Sequence, residues 1–85
     1  GRDYATGVEG YPGLVIHGPL QATLLFNYAA GLDGRAPDRF SFRSLSPLFD
    51  TDPVRLHAAE TEDGLKLWTA REGAPVAMAA EAGWD

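Results

Sequence analysis

Residues 9–20 read Glu-Gly-Tyr-Pro-Gly-Leu-Val-Ile-His-Gly-Pro-Leu: a Gly/Pro turn, a short apolar run, then His-Gly-Pro at the head of a helical pattern. From Leu20 to Ala30 apolar residues recur at helical spacing, and Gly31 is suited to ending a helix. The pattern predicts one substantial helix over residues 18–31 of an 85-residue chain. Pro19 suits the first helical position, where its missing N–H has no partner to lose, and Gly18 leaves the backbone open to a ligand. The free N–H groups of a first turn attract negative charge, including the charge that grows on a carbonyl oxygen during acyl chemistry. The same residues are also readable as nothing more than a tight helix start, since Gly and Pro are common there.

Everything after this helix carries the signals of sheet. Gly31 to Asp38, with two Gly, a Pro and three charges, is an expected exposed loop. Residues 39–45 (Arg-Phe-Ser-Phe-Arg-Ser-Leu) alternate with period two, which puts Phe40 and Phe42 on a core side and Arg39 and Arg43 on the other. Pro47 ends or kinks that strand, and Asp50-Thr51-Asp52-Pro53 is a turn signal. Residues 54–60 and 65–71 read as antiparallel neighbours joined at Glu62-Asp63-Gly64, and Glu72-Gly73 marks a second hairpin into residues 76–82. In that last segment the alanines favour helix, whereas hairpin spacing and the alternation of Val76, Met78 and Ala80 favour strand, the choice adopted here. Residues 1–13 read as a short polar turn of helix and a Gly/Pro loop, and residues 14–17 as a brief extended lead into the helix. The expected architecture is α+β, one central helix wrapped by an antiparallel sheet over residues 39–82, in a single domain with residues 1–17 as loop. Such a sheet has open edges and invites a partner or a second copy.

Composition narrows the function classes. Seven basic against twelve acidic residues leave a net charge of −5, which argues against a nucleic-acid surface. A negatively charged ligand would have to be held by backbone N–H groups and a few arginines, of which Arg39 and Arg43 are the candidates; both also read as solvent-facing strand residues. With no cysteine there is no thiolate chemistry and no Cys-based zinc site, which fits a cytoplasmic setting. The longest apolar run is far short of a membrane span, and no metal is expected.

The block Tyr4-Ala5 followed by residues 9–20 resembles the MaoC-type hydratases and dehydratases of the hot-dog fold. Arg39-Phe40-Ser41-Phe42-Arg43, Ser46-Pro47-Leu48-Phe49-Asp50, Leu67-Trp68 and Ala77-Met78-Ala79 are similar to the branch holding 3-methylfumaryl-CoA (mesaconyl-CoA) hydratase and mitochondrial-type hydroxyacyl-thioester dehydratases. The resemblance implies reversible addition of water to a 2-enoyl thioester, carried on CoA or an acyl carrier, with no metal or redox cofactor. It implies a homodimer or a pairing with a second hot-dog domain, in the cytoplasm or, in a eukaryote, the mitochondrion. Gly18 would offer its backbone N–H to the thioester carbonyl, His17 would sit beside the site in a packing role, and Arg39 and Arg43 would meet CoA phosphates.

In the resembled family a pattern of the type Asn-x-x-His-x-Asp just ahead of Tyr-Ala supplies the acid–base pair. That pattern would fall upstream of Gly1, so no catalytic side chain is expected within the chain, the first strand or strands of the sheet are expected to be missing, and the fragment itself is expected to be inactive. Asp3 reads as an N-terminal helix charge and His57 as an exposed mid-strand residue. A hot-dog thioesterase would want an acid facing the helix start from the central helix or a neighbouring strand, and residues 20–30 contain none, their polar residues being Gln21, Thr23 and Asn27. A non-catalytic module that binds acyl thioesters, or forms the structural half of a dimer or tandem pair, is the alternative.

Overall fold

The structure, a computed structural model, describes residues 3–8, 18–48 and 54–85, the first of these segments by its backbone. The element order is β1 (Asp3–Val8), α1 (Gly18–Asp33), β2 (Arg39–Ser44), β3 (Val54–Thr61), β4 (Gly64–Arg71) and β5 (Met78–Gly83). The strands form one antiparallel sheet in the order β1-β3-β4-β5-β2, and α1 crosses it to carry the chain to the far edge. Gly1 and Arg2, the segment 9–17 and the expected turn at Asp50–Pro53 lie outside the described residues.

Residues 3–8 correct the expected turn of helix near Gly1. They are a strand paired with β3 from Asp3↔Ala59 to Val8↔Val54, so Asp3 begins a strand and is not a helix charge. Tyr, Thr and Val at alternate positions suit a strand, but Gly7 and the short length hide the signal until β3 offers its edge. The helix also differs from expectation. It runs through Gly31 to Asp33, and the chain turns at Gly34, whose φ of 97° is left-handed backbone that a glycine adopts at no steric cost. The Gly34 N–H still donates to the Ala30 carbonyl at 2.9 Å, closing the helix end.

β3, β4 and β5 agree with the sequence pattern, and residues 78–83 are strand in spite of their alanines. Pairing on both sides, with β4 and with β2, outweighs helix propensity there. Small side chains on β5 let the helix lie close. Ala22, Leu25 and Ala29 of α1 bury against Leu56, Ala58, Leu65, Leu67, Met78, Ala80 and Ala82. Gly64 is fixed by the opposite constraint: with φ at 155°, a Cβ there would collide with the Ala82 carbonyl of β5.

The alternation of β2 predicts both of its phenylalanines in the core, and the structure divides them. Phe40 is half-buried, edge-on to Phe26 with centroids 5.3 Å apart, while Phe42 is 52% exposed. β2 is an edge strand and α1 lies chiefly over β5 and β4, so the helix covers only the near end of β2. Leu45 (51% exposed) and Leu20 (45%) are exposed apolar residues as well.

A polar clasp closes the far end of the molecule. Arg35 pairs with Asp38 at 3.0 Å and donates to the Asp85 carbonyl, Arg39 donates to the Asp85 carboxylate at 3.0 Å, and Trp84 Nε1 donates to the Arg35 carbonyl. The backbone N–H of Asp85, and next Arg35, hold the Asp38 carboxyl below its ordinary value of 3.8. Folding therefore favours the ionised form, a contribution present above that ordinary value and lost as pH falls through the folded one. Asp38→Asn is expected to flatten the fall of stability below about pH 4, read by denaturant melts across pH. An unchanged slope would mean the clasp is already open. Because the group is exposed, the effect is small.

Candidate functional site

The start of α1 stands over one row of the sheet. Register places Leu56, Thr69, Met78 and Ser44 side by side across β3, β4, β5 and β2 on the helix-facing side. Gly18 lies directly above this row: a Cβ on it would come within 3.4 Å of Ser44 Oγ and 3.6 Å of Met78 Cε. One turn on, Gln21 is buried, and its Oε1 accepts from the Thr69 hydroxyl at 2.7 Å. Thr23 returns its hydroxyl to the Pro19 carbonyl at 2.8 Å, leaving it no role at the first N–H groups. No acidic residue occupies the first turn. The positive end of the helix dipole and the first backbone N–H groups thus lack an anionic side chain of their own helix.

The Gln21–Thr69 bond is the polar rivet between helix and sheet at this end, and sequence reading missed its meaning. The available signal was Thr69 at an inward position of the alternating series Leu65, Leu67, Thr69. Thr69→Val removes the donor and leaves the buried Gln21 oxygen without it, an expected loss of about 1–3 kcal/mol. Pairing it with Gln21→Leu should recover part of that loss in a double-mutant cycle by chemical denaturation; strict additivity would refute the coupling.

The two candidate arginines are not brought together. Arg43 is at the Ser44 end of β2, exposed and on the opposite sheet face, and among the described residues it has no ionic or hydrogen-bonded partner. Arg39 is four residues away, roughly 13 Å along the strand, bound to Asp85 and lying over Gly83. His17 lies outside the described residues, and so does Gly1, upstream of which the acid–base pair is expected. His57 is half-buried and stacked on Trp68, with centroids 5.2 Å apart and planes at 6°, which differs from the exposed position expected for it.

A helix laid across an antiparallel sheet, with its N-terminus above the sheet's inner row, defines the hot-dog class. The family model for hydroxyacyl-thioester dehydratase type 2 matches residues 1–50, and the chain belongs to that family. A mesaconyl-C(4)-CoA hydratase from Chloroflexus aurantiacus is 52% identical over 66 residues, which is 78% of this chain and 24% of that protein. The mitochondrial hydroxyacyl-thioester dehydratase type 2 of Schizosaccharomyces pombe is 39% identical over 71 residues, 80% of this chain and 23% of that protein. The chain thus spans about a quarter of the length of these relatives. No solved structure matches it significantly. Among the described residues no helix is long and apolar enough to cross a membrane.

Proposed function

We propose that this chain is the thioester-holding part of an acyl-thioester hydratase/dehydratase that adds water reversibly across a 2-enoyl thioester. The observation that carries the reading is the acid-free helix start at Gly18, above Ser44 and Met78, in a member of a thioester dehydratase family. In hydration the water oxygen bonds to the β-carbon, the electron pair of the double bond moves toward the thioester oxygen, and the α-carbon takes up a proton. The Gly18 N–H stabilises that oxygen as it gains charge, and it does so with no side chain. Water addition also needs an acid–base pair within hydrogen-bond reach of the reacting water. No acid lies in the first turn of α1, so the start of the helix does not itself supply the pair.

The acyl donor is a CoA or acyl-carrier thioester, and the site works without metal or redox chemistry because carbonyl polarisation and proton transfer suffice. The edge position of β2 and the exposed Phe42 on it favour a homodimer or a second hot-dog domain against this side. The mitochondrial S. pombe relative supports a mitochondrial location in a eukaryote, with the cytoplasm otherwise.

The test is to mix the folded chain with crotonyl-CoA and mesaconyl-CoA, following enoyl absorbance and the infrared carbonyl stretch of bound thioester. The expected result is binding with a lowered carbonyl stretch and no turnover. Absence of binding would overturn the thioester reading, and robust turnover would place the acid–base pair within the chain.

A further inference from the structure

On the face of the sheet turned away from α1, register sets His57, Trp68, Ala79 and Arg43 in one row across β3, β4, β5 and β2. His57 stacks on one face of the Trp68 ring, and its centroid distance of 5.2 Å is close to one strand spacing. The next strand over contributes Ala79, whose side chain stops at Cβ, and the one beyond it contributes Arg43, which has no partner among the described residues. Trp68 and Arg43 are therefore about two strand spacings apart, roughly 9.6 Å. The Lys66 ammonium lies over the indole, and once that flexible side chain swings aside the gap takes one planar ring at stacking distance from both the indole and the guanidinium. The gap belongs to an open groove of about 710 Å³, which Ser41, Lys66 and Glu81 also line.

We propose that this slot holds the adenine nucleotide end of coenzyme A, with the base over Ala79 between Trp68 and Arg43. The choice of nucleotide rests on the thioester reading above. Charge supports it: Arg43 and Lys66 supply two cations, Lys66 Nζ lies 5.6 Å from the Trp68 ring centroid, and neither has an ion pair among the described residues. Glu81 faces the same groove as an acceptor suited to the exocyclic amine of adenine. The route from the acyl site is short, because Ser44 beside Gly18 and Arg43 on the outer face are consecutive residues. The pantetheine arm passes around the end of β2 near Leu45 and Val76, which form that end of the groove.

The test is a ¹H–¹⁵N NMR titration of the 85-residue chain with adenosine 3′,5′-bisphosphate, with 5′-AMP, with inorganic diphosphate and with the N-acetylcysteamine thioester of crotonate. The expected result is a saturable shift of the Trp68 indole N–H and the Ala79 amide with the bisphosphate, while the Trp84 indole stays in place. Ala79→Leu fills the slot from the outer face without touching the core and should weaken the bisphosphate at least about tenfold, as should Arg43→Ala. Both variants should leave the crotonyl thioester fragment unaffected.

Equal shifts with diphosphate would reduce the slot to an anion patch, and equal affinity for 5′-AMP would remove the assignment to coenzyme A. Shifts of the same peaks with protein concentration alone would show a second copy's side chain in the slot. Each of these overturns the proposal, as does no shift with the bisphosphate. If the thioester fragment binds and the nucleotide does not, this inference falls by itself. If the nucleotide binds and no thioester does, the slot stands as a nucleotide site and the thioester reading falls.

Discussion

Leu67→Ala should cost about 4 kcal/mol of folding stability, toward the upper part of the 2–5 kcal/mol range for such truncations. The reason is the company Leu67 keeps. It is fully buried on the central strand β4, and its two cross-strand partners on the same face are Ala58 and Ala80. Neither alanine has atoms that can swing into the space left behind, so the cavity persists and the lost contacts are not recovered. A domain of 85 residues has roughly 4–13 kcal/mol of stability in all, so the variant sits near its unfolding threshold. Calorimetry should show the midpoint falling by roughly 15–30 °C. A loss under about 2 kcal/mol would mean that the helix settles into the gap, and that packing at the centre is softer than the structure implies.

Gly18→Pro should abolish carbonyl polarisation while Gly18→Ala retains it. The argument is one atom: proline removes the N–H and alanine keeps it. Gly18 is not among the described glycines with positive φ, and as the first residue of α1 its N–H has no intrahelical acceptor. The alanine Cβ would meet Ser44 Oγ and Met78 Cε at 3.4 and 3.6 Å, ordinary contact distances, so both variants are expected to fold. With the acid–base pair in place, proline should lower kcat about 10²–10³-fold, the usual cost of losing one oxyanion donor. Infrared spectra of bound crotonyl thioester should show the carbonyl stretch returning to its solution value. A folded proline variant with kcat within about threefold of the parent would remove Gly18 from the mechanism.

Both predictions depend on features that differ in how visible they are in the sequence. The helix start at Gly18-Pro19 was legible because its signals are local: a glycine, a proline at the first helical position and apolar spacing downstream. The hairpins at residues 62–64 and 72–73 were legible for the same reason, since their glycines at φ 155° and 76° serve conformations that other residues resist. The rest required partners distant in sequence. Phe42 alternates like a core residue, yet it lies on an edge strand that the helix barely covers. Gly31 is a plausible helix stop, but Gly34 three residues on takes the left-handed turn. Gln21 and Thr69, 48 residues apart, meet as a buried hydrogen bond only because α1 lies over β4.

The sequence by itself determined where the helix begins and which segments are strands after it. Turn chemistry and period depend on neighbours a few residues away, so they are written locally. Tertiary structure alone decided that residues 3–8 become the edge strand beside β3, and that β2 crosses to the other edge. It also decided that Arg39 and Arg43 end up at opposite ends of one strand, and that Trp68 faces outward between His57 and Ala79. Strand order and sheet face follow from which segments satisfy one another's hydrogen bonds and bury one another's apolar surface, and those choices are made by the whole chain at once.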